Sequence, residues 1–229
     1  MVSIAELVGP DLDEGVRAVS VGTINGSATI DGTSGPLGND NDTKLMQALR
    51  DWADVVMVGA GTFMKEQYSS PKPTEARPDP APLAIPTTKL SFEINYRMWE
   101  NIDTPPYLLI PHHVLESDEA QEYIQAQKDV GAIILDSGDG TVEACMDTLR
   151  AQGWTKILCE GGPKLYGQVI ASGQLDQLYH TIDAHIGTAI QTTLAPTEKD
   201  PKTFRMNLEN VAADDDGTVF LRYGRDKDQ

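Results

Sequence analysis

Cationic residues are scarce in this chain. Its 229 residues carry 18 Lys and Arg against 35 Asp and Glu, a formal net charge of -17. That imbalance excludes the broad basic face that nucleic acid or an anionic membrane surface requires, so neither partner is expected. An anionic ligand must instead be met by local devices, such as helix N-termini and single lysines. Cysteine is rarer still: only Cys145 and Cys159 occur, which excludes a disulfide framework and predicts two small buried thiols. No run reaches the roughly 18 apolar residues of a membrane span, and the start MVSIAELVGPDLDEGVR lacks a basic stretch leading into an apolar one. A cytoplasmic location is therefore expected. No internal repeat occurs, nor does the His-x-Glu and Pro-Cys-x-x-Cys signature of a zinc deaminase. His112 with His113, and His180 with His185, lack the carboxylate partners and spacing of a metal site, and no metal is expected.

What is present suffices for one sizeable core. With 40% hydrophobic residues the chain reads as a single α/β domain over 16–224, preceded by an extension at 1–15 and followed by a tail at 225–229. Apolar runs predict strands at Arg17–Thr23, Asp54–Val58, Pro82–Ile85, Pro106–Pro111, Ala132–Leu135, Lys156–Cys159, Gln177–Ala184 and Thr218–Tyr223. Helices are predicted at Asn41–Trp52, Ser117–Asp129, Thr141–Gly153 and Pro163–Ser172, with a short one at Phe63–Gln67. The alternation implies a mostly parallel central sheet flanked by helices, with an antiparallel C-terminal strand pair. Ser69–Pro86 is rich in proline and reads mostly as a loop along one edge of a ligand groove.

Two turns stand out. Ile157-Leu158-Cys159 is a short apolar strand that runs through Glu160-Gly161-Gly162 into a helix opened by Pro163. Glycines there allow a tight turn, and the helix start carries unsatisfied N-H donors that a diphosphate can approach closely. Gly173 is placed to end that helix. The second turn is Gly59-Ala60-Gly61-Thr62, after the strand Asp54–Val58. Either turn alone is common in α/β proteins. The pair suggests the two ends of one extended anionic ligand, as a dinucleotide offers, although neither is the G-x-G-x-x-G fingerprint.

These residues resemble the dihydrofolate reductase superfamily and, within it, the pyrimidine reductase family of riboflavin biosynthesis. The matching segments are Thr23-Ile24-Asn25-Gly26, Thr33-Ser34-Gly35-Pro36, Leu49-Arg50, Ala53-Asp54, Val58-Gly59-Ala60-Gly61-Thr62 and Glu160-Gly161-Gly162-Pro163. The resemblance runs from about Val16 to Tyr223 and implies a dihydrofolate-reductase-like fold. It also implies an NADPH-dependent oxidoreductase that reduces a C=N bond of a small-molecule substrate, a pyrimidine or a pterin. The implied cofactor residues are Gly59, Ala60, Gly61, Thr62, Glu160, Gly161, Gly162, Pro163 and Leu165. Thr87 and Thr88, with Lys89 near, are implied at the adenosine 2'-phosphate, although two threonines ending a strand are an equally ordinary arrangement. On the substrate side the resemblance implies Asn25, Gly26, Ser34, Gly35, Glu66 and Thr181, with Glu66 and Asn25 as catalytic candidates.

The pattern also departs from the family. Asn25 stands where the family has an aspartate, and Thr43 and Lys44 stand near the family's helix arginine. Two alternatives remain open here, a pterin reductase of the dihydrofolate reductase kind and a non-catalytic NADPH-binding protein. The resemblance further implies a homodimer paired through a sheet edge, with Val219-Phe220-Leu221 supplying apolar faces.

Overall fold

The computed structural model describes residues 2–66, 70–88, 104–193 and 203–226. Gln67, at the end of the predicted short helix, Ser69 and Lys89 lie outside them. Among the described residues the strands are β1 (Gly15–Thr23), β2 (Val55–Met57), β3 (Leu83–Pro86), β4 (Tyr107–Ile110), β5 (Ile133–Asp136), β6 (Lys156–Cys159), β7 (Gln177–Asp183), β8 (Met206–Ala213) and β9 (Val219–Arg225). They form one sheet in the order β5-β4-β3-β2-β6-β1-β7-β9-β8. Pairing is parallel from β5 to β7 and antiparallel for β7 with β9 and β9 with β8. The expected antiparallel C-terminal pair is thus extended by an outer strand, β8, that periodicity does not reveal. A register shift between Leu208 and Asn210 interrupts its alternation, as a bulge does.

The helices are α1 (Ile4–Val8), α2 (Asp40–Trp52), α3 (Ala60–Lys65), α4 (His112–Leu115), α5 (Asp118–Asp129), α6 (Val142–Ala151) and α7 (Pro163–Ser172). Local chemistry sets their ends. The Asn39 side chain accepts from the Asn41 and Asp42 amides at the start of α2, and Thr141 accepts from Ala144 N at the start of α6. Gly173 closes α7 in the left-handed conformation, as its position predicted. Alternate strand residues feed two cores. Val56, Val58, Leu83 and Ile85 pack with Leu45, Leu49 and Phe63 on one face. Val55, Met57, Ile157 and Cys159 pack with Met146, Leu149 and Val169 on the other. Both thiols are buried, and desolvation pushes them up, Cys145 to about 11 and Cys159 to about 12.

The segment ahead of β1 is stitched onto this frame. Leu7 is buried, Trp52 Nε1 donates to Leu12 O, Tyr179 Oη donates to Val8 O, and Arg222 Nη1 donates to Glu6 O and Leu7 O. Fully buried Arg17 donates to Pro10 O and lies 4.1 Å over the Trp52 ring. No helix among the described residues is long and apolar enough to cross a membrane.

Candidate functional site

Strand order explains why the two glycine turns meet. β2 and β6 are parallel neighbours, with Val55 opposite Ile157 and Met57 opposite Cys159, so their C-terminal ends finish side by side. Glu160 N donates to Met57 O at 3.0 Å, and Gly59 N donates to Gly161 O at 2.6 Å. The turns are therefore two walls of one cradle, where the sequence suggested the two ends of a ligand.

The glycines in the cradle have separate reasons. Gly161 has φ +80°, and a Cβ there would run into the Tyr166 ring, whose hydroxyl donates to Val19 O. A Cβ on Gly162 would collide with Thr62 Oγ1. Gly61 differs, because nothing lies within 4 Å of where its Cβ would stand.

From the cradle runs a cleft of about 780 Å³. Of the residues assigned from sequence, Gly59, Ala60, Gly61, Thr62, Thr87, Thr88, Glu160, Gly162, Pro163 and Leu165 line it, as do Ser34 and Glu66. Gly161 sits behind the lining. Gly35 and Thr181 do not line it either, and Gly26 lines a neighbouring chamber of about 410 Å³ beneath α7. Asn25 is turned elsewhere: its amide donates to Gly187 O at 2.6 Å and its oxygen accepts from Thr23 Oγ1 at 2.9 Å. It holds two loops together and lines neither space.

The carboxylates divide by partner. Glu160 is gripped by Arg50 through two 2.7 Å bonds, Nε to Oε1 and Nη2 to Oε2. Its side chain is 2% exposed and that of Arg50 11%. Glu160 therefore neutralises a buried cation beneath the turn, and only its backbone and flank face the cleft. Glu66 Oε2 accepts from Thr33 Oγ1, Ser34 N and Ser34 Oγ at 2.9, 3.2 and 3.0 Å. It is an anchor for the loop that carries Ser34.

The resemblance offered Glu66 as the carboxylate among the catalytic candidates, but Asp42 on α2 lines the cleft as well. Burial is the main cause holding its carboxyl above the ordinary aspartate value, and Asp183 adds to the rise while Thr181 opposes it. Asp183 is held low by His185 and the Gly38 amide despite its own burial. Lys65 and Lys164 also line the cleft and were missed, because single helix lysines carry no spacing signal. His180 meets Ser20 Oγ through Nδ1 at 2.9 Å beside the smaller chamber, and desolvation lowers its pKa.

A dinucleotide diphosphate fits these residues. Gly61 leaves open space, Gly162 caps the ten-residue helix α7 with Pro163 at its first position, and Thr62 offers a hydroxyl at the joint of the turns. The mostly parallel sheet with its antiparallel C-terminal strands is of the dihydrofolate-reductase-like class. The chain belongs to the RibD C-terminal domain family, whose model matches residues 20–220.

Solved structures agree on the fold. A pyrimidine reductase-like protein from Corynebacterium diphtheriae superposes with a TM-score of 0.86 at 28% identity, covering 98% of this chain and 100% of its own. The deaminase/reductase of Thermotoga maritima gives 0.71 at 18% identity, covering 93% of this chain and 57% of its own. A riboflavin biosynthesis reductase from Saccharomyces cerevisiae gives 0.67 at 16% identity, covering 92% and 89%. No curated protein sequence matches the chain.

Proposed function

We propose that this chain is an NADPH-dependent reductase acting at this cleft on a pyrimidine of the 5-amino-6-(5-phosphoribosylamino)uracil type, in riboflavin biosynthesis. The observation that carries the reading is the cradle itself. Two glycine turns are locked by the Gly59–Gly161 hydrogen bond at the head of a continuous cleft, in a chain of the RibD C-terminal domain family.

When bound, the cofactor supplies the hydride for a C=N bond of the substrate. The chain supplies the rest. Backbone N-H groups of Ala60–Thr62 and at the start of α7, with the Thr62 hydroxyl, receive the diphosphate. Thr87 and Thr88, which continue from β3, receive the adenosine 2'-phosphate, and Lys65 and Lys164 offset the negative field of the molecule. Glu66 fixes Ser34 at the substrate end through its three bonds to the 33–34 loop, so a pyrimidine meets a positioned hydroxyl.

The test is loss of NADPH absorbance when a ribosylaminouracil phosphate is added, with dihydrofolate as comparison. Oxidation with the pyrimidine and little with dihydrofolate supports the reading. Oxidation with dihydrofolate alone moves the chain to pterin reduction, and none with either rejects a reductase role of both kinds.

We also propose a homodimer. β9 lies inside the sheet between β7 and β8, so the free edge belongs to β8, where Leu208 and Val211 are 53% and 58% exposed. Light scattering at micromolar concentration should return twice the chain mass, and a monomer mass would overturn the proposal.

A further inference from the structure

A row of side-chain donors on one face of the sheet reads the backbone of residues 6–12. Arg222 of β9 stands opposite Tyr179 of β7 and opposite Asn210 of β8, so neighbouring strands bring the three to one place. Asn210 Nδ2 donates to Glu6 O at 2.9 Å, Arg222 Nη1 to Glu6 O and Leu7 O at 3.0 and 2.8 Å, and Tyr179 Oη to Val8 O at 2.8 Å. These carbonyls end α1 and have no partner within it. Farther along, Arg17 Nη2 donates to Pro10 O at 2.9 Å and Trp52 Nε1 to Leu12 O at 3.0 Å.

The face and the segment are fitted to each other. Gly9 has φ +72°, and a Cβ there would collide with the Arg222 guanidinium, so close approach at this point requires glycine. Leu7 is buried in the core beneath it. Arg17 is fully buried and has no carboxylate at ion-pair distance among the described residues, a costly state that the Pro10 carbonyl and the Trp52 ring face relieve. Gln177 Oε1 accepts from Arg17 Nε at 2.9 Å, and Glu209 Oε2 accepts from Gln177 Nε2 and Arg222 Nε at 2.8 and 3.1 Å. The donors are thus held in place by one another.

This face ends at the helix that holds the glycine turn. Trp52 is the last residue of α2, and Arg50, in the same turn, grips Glu160 through both oxygens. None of residues 2–14 lines the cleft. We propose that the β1-β7-β9-β8 face is a peptide-docking site whose occupant is residues 2–12 of this chain, and that docking positions the last turn of α2 and thereby the NADPH cradle. The second half rests on the NADPH reading above. Recognition is of an extended backbone, through its carbonyls, with Gly9 and Leu7 setting register.

The test uses the full chain carrying Gly9→Val, read by hydrogen exchange and by calorimetry with NADPH. Residues 4–12 should exchange faster than in the wild type, and so should 50–62 and 158–166, which the segment does not cover. The NADPH dissociation constant should rise about tenfold, within the usual span of coupling between sites. A synthetic peptide of residues 2–14, added in excess, should restore both the slow exchange and the affinity, whereas the same peptide with Gly9→Val should restore neither. Tyr179→Phe with Asn210→Ala removes two donors without a clash and replaces Gly9→Val if that variant does not fold.

A folded variant whose residues 4–12 exchange as in the wild type overturns the docking site. Faster exchange there with wild-type cradle exchange and wild-type NADPH affinity overturns the coupling, and failure of the peptide to restore either overturns the proposal as a whole. A wild type that binds no NADPH rejects the cofactor reading alone, and exchange at 50–62 and 158–166 then decides the coupling.

Discussion

Replacing Arg50 by Leu should cost this protein more stability than a surface change can. Arg50 holds both oxygens of Glu160 at 2.7 Å, and the Glu160 side chain is only 2% exposed. Removing the cation leaves a carboxylate in a site that water does not reach, a loss of about 3–5 kcal/mol. For a domain of this size each kcal/mol lowers the melting temperature by roughly 2–4 °C, so a fall of about 6–20 °C is expected. The double variant Arg50→Leu with Glu160→Leu removes both charges and should recover most of that loss, because the penalty lies in the unpaired charge. Urea unfolding followed by tryptophan fluorescence measures all three proteins. A single-variant loss below about 1 kcal/mol, the range of exposed pairs, would refute the reasoning, as would a double variant less stable than the single one. NADPH binding should weaken in Arg50→Leu as well, since Glu160 N ties the turn to Met57 O on β2.

Three further outcomes follow from the geometry. Gly61→Val should fold normally, since nothing lies within 4 Å of its Cβ, yet raise the NADPH dissociation constant about tenfold or more by blocking one or two diphosphate bonds; calorimetry decides it. Valine at Gly161 or Gly162 is a poorer test, because it meets the Tyr166 ring or Thr62 and should lower stability as well as binding. Glu66→Gln retains an oxygen that can accept the Thr33 and Ser34 bonds, so as a loop anchor it should lose less than about tenfold in kcat, with Glu66→Ala losing more; a loss of about 10² or above in Glu66→Gln would mark a proton donor instead. His180 is held below its ordinary 6.5 by desolvation, so the unfolded chain binds more protons as pH falls through 6.5 toward the folded value. Stability should be complete above that window and decline within it, and melting curves at about pH 7.5 and 5.5 should differ less in His180→Gln than in the wild type.

How legible these features are in the sequence depends on whether their cause is local. The β6–turn–α7 unit could be read directly, since the apolar run, Gly161-Gly162, Pro163 and Gly173 each act within a few residues. β8 could not, because the irregularity at Leu208 and Asn210 removes the two-residue period on which a strand reading relies. α1 is five residues long and is held by Arg222 and Tyr179 from distant elements. Asp42 reads in sequence as one of several acids suited to a helix start, and its burial on the cleft wall, with Thr181 and Asp183 approaching from β7, is what gives it a special environment. Asn25 occupies a motif position, but its amide is claimed by Gly187, which no local pattern announces. Glu160 belongs to the recognisable glycine turn, while its partner Arg50 lies 110 residues away.

The central claim is that the cleft between the glycine turns is an NADPH site, and calorimetric titration of the wild-type protein with NADPH and then NADH tests it most directly. The account predicts saturable one-to-one binding of NADPH, with NADH weaker by about tenfold or more through loss of the 2'-phosphate contacts at Thr87 and Thr88. Equal affinities would contradict the assignment of the two threonines, and no heat of binding with either nucleotide would contradict the site itself.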